Sequence, residues 1–156
     1  MKDINLRFVV VTSYNPGQRT LADFGAEVIR IESPLGLDPN EGATGDRETF
    51  DMLNLHRNKR SITLNLKEPE AREIFYKLVA EADVVVENFR PGTMEKLGYG
   101  WDTLHKKYPK LIYASASGFG HTGPNSKDPA YDMVMQGQGG IMSITGNAGQ
   151  PPSRVG

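Results

Sequence analysis

The sequence lacks cysteine and long apolar runs, and each absence excludes a class of protein. Without cysteine there is no disulfide framework, no thiolate metal site and no cysteine nucleophile. No apolar run reaches the roughly 20 residues of a membrane-spanning helix, and the first seven residues do not resemble the apolar core of a signal peptide. We therefore expect no membrane partner and a cytoplasmic location, although an organelle matrix fits the same sequence.

The chain also lacks an excess of charge of either sign. Its 156 residues carry 18 basic and 19 acidic side chains, a net charge of −1, and 38% of them are hydrophobic. A nearly neutral chain has no general attraction for nucleic acid, so any basic site must be local. The length suits one domain that buries a sizeable core.

Short β-branched runs alternate with helix-like segments along the chain. Strands are predicted over residues 8–11, 28–31, 61–66, 83–86 and 111–114, and helices over 18–24, from 68 onward and over 102–108. The helix near residue 70 has an apolar face of Ile74, Phe75, Leu78 and Val79. This alternation predicts an α/β fold, a single Rossmann-like domain over residues 1–156 with a mostly parallel sheet and helices on both faces.

Residues 118–123 (GFGHTG) match the G-x-G-x-x-G pattern of dinucleotide-binding proteins. That reading requires a helix directly after the glycines and a place at the first strand of the domain. Pro124 and Pro129 disfavour the helix, and the motif lies late in the chain. We therefore interpret the segment as a glycine-rich loop.

Basic and acidic candidates each allow two readings. Residues 57–60 (RNKR) are a solvated edge or a phosphate clamp to which Lys67, Arg90 and Lys96 add charge. Asp132, at a loop-to-helix junction, is a helix cap or a catalytic residue. The three histidines are too scattered to predict a metal site, and no G-x-S-x-G elbow indicates a serine hydrolase.

Four blocks carry a resemblance to a known family: residues 21–32 (LADFGAEVIRIE), 58–62 (NKRSI), 86–92 (VENFRPG) and 114–132, which end in PAYD. In this order and spacing the chain resembles the N-terminal portion of a class III (family III) coenzyme A transferase of the CaiB/BaiF type. The resemblance covers residues 21–156. It implies a Rossmann-like large domain, here truncated before its remainder and before a small domain.

The resemblance also implies an activity. Such enzymes move CoA from an acyl-CoA to a free carboxylic acid, through an aspartyl anhydride and then an enzyme thioester. CoA and acyl-CoA are substrates, no cofactor is tightly bound, no metal is needed, and two subunits interlock as a homodimer. By motif matching, the residues that line the CoA pocket are Leu64, Asn65, Leu66, Lys67, Asn88, Phe89, Arg90, Lys96, Pro129, Ala130, Tyr131 and Asp132.

The chain departs from the family pattern in two places. Residues 12–20 are shorter and differently composed than the CoA-contacting loop expected there. The nucleophilic aspartate is expected in a Gly-Asp pair just after Gly156, so we assign no catalytic residue within the chain and treat Tyr131 and Asp132 as supporting candidates. We expect the chain alone to be inactive and to associate in solution through exposed apolar surface.

Two alternatives stay open. A 2-methylacyl-CoA racemase-type enzyme of the same superfamily is similar in sequence, but racemases have histidine where this chain has Tyr131, and tyrosine, with an ordinary pKa near 10, is a poor base at neutral pH. A non-catalytic CoA-binding fragment is the second alternative. The sequence does not indicate which acyl group is transferred.

Overall fold

The computed structural model describes residues 6–11, 17–37 and 49–155, and within them a parallel sheet forms the centre of the fold. The described strands are β1 (Arg7–Val11), β2 (Glu27–Glu32), β3 (Arg60–Thr63), β4 (Val84–Glu87) and β5 (Ile112–Ser115). All neighbouring pairs are parallel and the strand order is β3-β2-β1-β4-β5. The predicted α/β fold with a parallel sheet is confirmed.

The helices lie between the strands and after the last of them. They are α1 (Gly17–Asp23), α2 (Phe50–His56), α3 (Pro69–Ala80), α4 (Thr93–Leu97), α5 (Trp101–Lys107) and α6 (Asp132–Gln138). Helix α1 is followed by Gly25, whose φ of 93° suits a residue without a side chain. Helix α3 begins with Pro69 at its first turn, where a missing N–H costs nothing.

Both faces of the sheet carry an apolar core. On one face, which we call the α3 face, Val9 and Val85 of the sheet pack with Phe75 and Leu104 of the helices. On the opposite α1 face, Val10 and other strand residues pack with Ala22 of α1. Alternate residues of each strand point to opposite faces, so the unbroken valine run of β1 contributes to both cores.

The apolar face predicted for α3 is partly wrong. Phe75 and Val79 are buried as expected, but Ile74 is 40% exposed and Ala71 is buried instead. Positions 71, 75 and 79 are spaced four apart and lie one above the other on the helix, so they form the contact row.

The chain separates into two compact units, Met1–Ala116 and Ser117–Gly156. The first contains the sheet and α1 to α5. The second contains α6 and a short 3-10 helix, Ile141–Ile144, and neither has a fully buried residue. The expected single domain over residues 1–156 stays a prediction. The predicted loop over residues 33–46 is described as far as residue 37, and its remainder lies outside the described residues, as do residues 12–16.

Candidate functional site

The carboxyl edge of the sheet is where a ligand is expected. In an open parallel sheet, ligands bind outside the carboxyl ends of the strands, at the point where the strand order reverses. Here that point lies between β1 and β4, which are neighbours in the sheet although β2 and β3 come between them in sequence. Eight of the predicted site residues follow β3 or β4, and all eight belong to the first unit, Met1–Ala116.

Residues 64–67, directly after β3, form a tight hydrogen-bonded turn. The Leu64 N–H donates to the Glu32 carbonyl at 2.8 Å, which ties the turn to the end of β2. The Lys67 N–H donates to Asn65 Oδ1 at 3.2 Å, and Asn65 Nδ2 donates to Glu68 Oε1 at 3.0 Å. Asn65 therefore stabilises the turn, and the exposed Lys67 is the charged group that it presents.

The turn after β4 carries Asn88, Phe89 and Arg90. Asn88 Nδ2 donates to the Ala116 carbonyl at 3.3 Å, so the ends of β4 and β5 are linked. The Phe89 N–H donates to Glu87 Oε2 at 2.8 Å, and its ring packs against the core of the α3 face. Arg90 is exposed. The turn ends at Gly92, the N-cap residue of α4, whose left-handed φ of 85° favours glycine.

Helix α4 follows the turn after β4, and the residues just beyond it contact the turn after β3. Lys96 lies exposed on α4, which starts just after the Asn88–Arg90 turn. Beyond the helix, the fully buried Tyr99 donates its hydroxyl to the Leu66 carbonyl at 3.2 Å and packs on Phe75, with ring centroids 4.4 Å apart. Burial raises the pKa of Tyr99 above its usual value. Tyr99 thus holds the end of α4 against the turn after β3.

The predicted residues at this edge are spread along it. Three strand spacings separate β3 from β4, so their two turns lie roughly 14 Å apart. Among the described residues, no carboxylate forms an ion pair with Lys67, Arg90 or Lys96. This edge can therefore offer solvent-exposed cations to an elongated anionic ligand.

The basic residues 57–60 lie at the opposite, amino-terminal edge. Arg57 Nη2 pairs with Asp23 Oδ2 at 2.6 Å, which raises the pKa of Arg57, and Asn58 Nδ2 donates to Asp23 Oδ1 at 2.8 Å. Arg60 pairs with Glu27, which also binds Arg7 at 3.0 Å. The tract therefore does not join Lys67, Arg90 and Lys96, because it lies at the start of β3 and its arginines are paired with local carboxylates.

A polar cluster around the buried Arg30 side chain, on the α1 face, was not predicted from the sequence. Arg30 Nη1 binds Glu32 Oε1 at 2.7 Å, and Ser61 Oγ donates to the same oxygen at 2.6 Å. His56 lies beside it, with Nδ1 3.3 Å from Lys59 Nζ. Burial, with the charges of Arg30 and Lys59, lowers the pKa of His56 to about 4, so this ring is neutral at physiological pH.

A second polar group, which includes the buried Glu87, lies at the ends of β4 and β5. Glu87 is 1% exposed, and besides Phe89 it contacts the Ser115 hydroxyl. Burial, followed by the charges of Glu87 and Glu95, raises the pKa of Tyr113. Glu87 is readable in the sequence as the polar end of an apolar strand, but its burial is not.

In the second unit, the glycine-rich loop packs against one of the predicted site residues, Ala130. Residues 118–127 contain no helix, which agrees with the loop interpretation of the G-x-G-x-x-G pattern. A Cβ on Gly118 would lie 1.9 Å from Ala130 Cβ, so the glycine is needed for close packing. Pro129, Ala130 and Tyr131 are exposed.

Asp132 opens helix α6, and Tyr131 rather than Asp132 is its N-cap residue. The Asp132 carboxylate accepts a hydrogen bond from Gln136 Nε2 at 2.6 Å. Gln136 also binds both polar groups of the Val155 backbone, at 2.8 and 2.9 Å, and so fixes the last described residue. Asp132 is exposed, and its described contact is structural.

The described part of the chain contains neither a candidate metal site nor a candidate membrane span. There, no group of three or more His, Asp or Glu side chains could hold a metal ion. None of the described helices has the length and hydropathy to span a bilayer.

Comparison with known proteins identifies the family. The model of CoA-transferase family III matches residues 8–156, which is nearly the whole chain. The chain belongs to CoA-transferase family III. The four sequence blocks had predicted this family, and the prediction is confirmed.

Curated CoA-transferases have similar sequences. An acetyl-CoA:oxalate CoA-transferase from Acetobacter aceti is 46% identical over 143 residues, which cover 90% of this chain and 36% of the relative. A succinyl-CoA–D-citramalate CoA-transferase from Chloroflexus aurantiacus is 45% identical over 139 residues, covering 87% of this chain and 35% of the relative. The chain thus spans little more than a third of these relatives.

Two solved structures have the same fold. A CaiB/BaiF family protein from Brucella suis superimposes with a TM-score of 0.82 at 39% identity, covering 97% of this chain and 42% of the other. A hypothetical protein from Mycobacterium tuberculosis gives a TM-score of 0.77 at 35% identity, covering 95% of this chain and 42% of the other.

Proposed function

We propose that this chain supplies the CoA-binding edge of an enzyme that transfers CoA from an acyl-CoA to a free carboxylic acid. The observation that carries the proposal is the family III match over residues 8–156. The relatives named above act on acetyl-CoA with oxalate and on succinyl-CoA with D-citramalate. Each pairs an acyl-CoA donor with a carboxylic acid acceptor, and we extend that substrate class, not the particular acids, to this protein.

The distribution of charge supports CoA as the ligand. CoA is a long molecule with several phosphate charges, and the carboxyl edge presents Lys67, Arg90 and Lys96 over roughly 14 Å. The arginines of the opposite edge already bind carboxylates of the protein. We therefore assign the phosphates to the carboxyl edge, with arginine as a bidentate donor and the lysines as point charges.

The remaining predicted residues are given roles by the same reasoning. Leu64, Asn65 and Leu66 shape the turn that presents Lys67. Asn88 and Phe89 form the turn that presents Arg90. From the second unit we propose Pro129, Ala130, Tyr131 and Asp132 as residues near the thioester, with Asp132 as an orienting group.

The proposed reaction has four exchanges at carbonyl carbon. An aspartate carboxylate oxygen bonds to the acyl carbon, and the C–S bond breaks to release CoA thiolate. The thiolate then attacks the aspartyl carbonyl, which forms an enzyme thioester and releases the first carboxylate. The acceptor carboxylate attacks this thioester, and the returning thiolate converts the resulting anhydride into the new acyl-CoA and the free aspartate. We place this aspartate beyond Gly156.

The test is covalent capture of CoA by the full-length gene product. Mixed with an acyl-CoA, the enzyme should gain the mass of CoA minus water, and the adduct should disappear when a carboxylate acceptor is added. An enzyme that instead exchanges the hydrogen α to the thioester, without an adduct, would be of the racemase type. CoA binding without either reaction would indicate a non-catalytic binding protein.

Assembly is a further part of the proposal. We propose a homodimer for the full-length gene product, in the cytoplasm. The 156-residue chain exposes large apolar side chains, among them Phe24 (87%) and Phe50 (79%). We therefore expect it to associate with rising concentration, as measured by light scattering. A strictly monomeric chain at high concentration would contradict this expectation.

A further inference from the structure

Glu87 is an unusual residue to find at the end of a buried strand. It closes β4 and is only 1% exposed, next to Val85, which is fully buried. Burying a carboxylate is costly unless hydrogen bonds compensate it. Glu87 is therefore expected to satisfy particular donors in the surrounding structure.

The Glu87 carboxylate accepts hydrogen bonds from a backbone N–H and from a hydroxyl. Oε2 accepts the Phe89 N–H at 2.8 Å, and Oε1 accepts the hydroxyl of Ser115. Glu87 and Ser115 are register partners in the sheet, so their side chains lie side by side on the same face. The Glu87 carbonyl also accepts the Ala116 N–H at 2.9 Å. One residue thus joins the end of β4, the end of β5 and the first turn after β4.

We propose that Glu87 is a positioning residue that fixes the Asn88–Arg90 turn for CoA binding, an inference that rests on the function proposed above. The Phe89 N–H belongs to the turn rather than to the sheet, so it needs an acceptor outside the strand ladder. A carboxylate is the strongest acceptor available among protein side chains. With Phe89 held on one side and Asn88 bound to Ala116 on the other, Arg90 leaves the turn in a defined direction.

The test compares Glu87→Gln, Glu87→Ala and the core variant Val85→Ala in titrations of the protein with CoA. Glutamine keeps an oxygen for the Phe89 N–H and can donate to Ser115 Oγ, so the Kd should stay within about threefold of wild type. Alanine leaves both donors without a carboxylate, and the Kd should rise about tenfold. Val85→Ala removes volume from β4 but does not touch the turn, so its Kd should remain near that of wild type.

A second readout does not depend on CoA. Amide hydrogen exchange at Phe89 should accelerate about tenfold in Glu87→Ala and stay near wild type in Glu87→Gln and Val85→Ala. If wild type itself does not bind CoA, the proposed function fails, and this exchange still decides whether Glu87 fixes the turn. In the full-length gene product, Glu87→Ala should raise the KM for acyl-CoA and change kcat less than about twofold.

Two results would overturn the proposal. One is unchanged Phe89 exchange together with unchanged CoA affinity in Glu87→Ala. The other is an equal loss of CoA affinity in Val85→Ala, since that would indicate general destabilisation. Should Glu87→Ala not fold, Ser115→Ala replaces it: loss of one hydrogen bond to the carboxylate should accelerate Phe89 exchange about threefold, and no acceleration would contradict the role.

Discussion

Acidification should destabilise this fold through His56, and replacing the residue should remove that part of the pH dependence. Burial, with Arg30 and Lys59 nearby, lowers the pKa of His56 from 6.5 to about 4. Between these pH values, the unfolded chain binds a proton at His56 and the folded chain does not. The stability linked to the neutral ring is fully present above pH 6.5 and is lost as the pH falls toward 4.

The size of this effect follows from the shift and from the exposure of the ring. The whole shift, from 6.5 to about 4, corresponds to about 3 kcal/mol, at about 1.36 kcal/mol per pKa unit. His56 is only partly buried, and solvent screening reduces the expected loss to about 1–2 kcal/mol. The shift to about 4 already includes the negative charge of Glu32, which favours the protonated ring.

The assay is urea unfolding of wild type, His56→Gln and His105→Gln at pH about 7.5 and about 4.5. Wild type should lose about 1–2 kcal/mol more on acidification than His56→Gln does. His105 lies on the exposed side of α5, stacked on Trp101, and the His105→Gln variant retains His56. It should therefore lose as much as wild type. Equal losses in wild type and His56→Gln would refute the reasoning.

Three substitutions test packing, one in the first unit and two in the second. Tyr99→Phe removes the hydroxyl that binds the Leu66 carbonyl and should lower the free energy of unfolding by about 1 kcal/mol in urea titrations; no loss would show that this bond contributes nothing. Gly118→Ala places a methyl group 1.9 Å from Ala130 Cβ and should cost about 1–3 kcal/mol. Gly137→Ala, in helix α6 with only one atom 3.9 Å from the new methyl group, should instead stabilise by about 0.5–1 kcal/mol, and the opposite order of these two variants would contradict the packing.

The strands could be predicted because the composition of their residues favours buried strands over other secondary structure. The valine runs of β1 and β4 are β-branched, apolar and bounded by polar residues, so they read as strands buried on both faces. β3 was predicted too long, to Leu66. The alternation of Ile62, Leu64 and Leu66 continues past Thr63, but side-chain hydrogen bonds of Asn65 turn the chain there.

Two short helices were not predicted, for physical reasons. Helix α4 has five residues between two left-handed glycines and buries only Met94, so it has no apolar period. Helix α2 buries Met52 but exposes Phe50 and Leu53, which breaks the expected pattern of an inward face. In both cases tertiary packing determines a structure that local sequence does not specify.

The candidate site was predictable only in part. The resemblance identified the segments after β3 and β4, and the parallel sheet then placed them at one edge. The pairing of Arg57 with Asp23 joins residues 34 positions apart and depends on tertiary structure, so the sequence left the basic tract ambiguous. The burial of Glu87 was unpredictable for the same reason.

The measurement that tests the central claim most directly is an NMR titration of the chain with CoA, followed at the backbone amides. The account predicts saturable shifts in the turns after β3 and β4, at Lys67 and Arg90, with little change at Arg57 and Arg60. Lys67→Ala and Arg90→Ala should each weaken binding about tenfold, whereas Arg57→Ala should not. Saturable shifts centred on Arg57 and Arg60, or no shifts at all, would contradict a CoA-binding carboxyl edge.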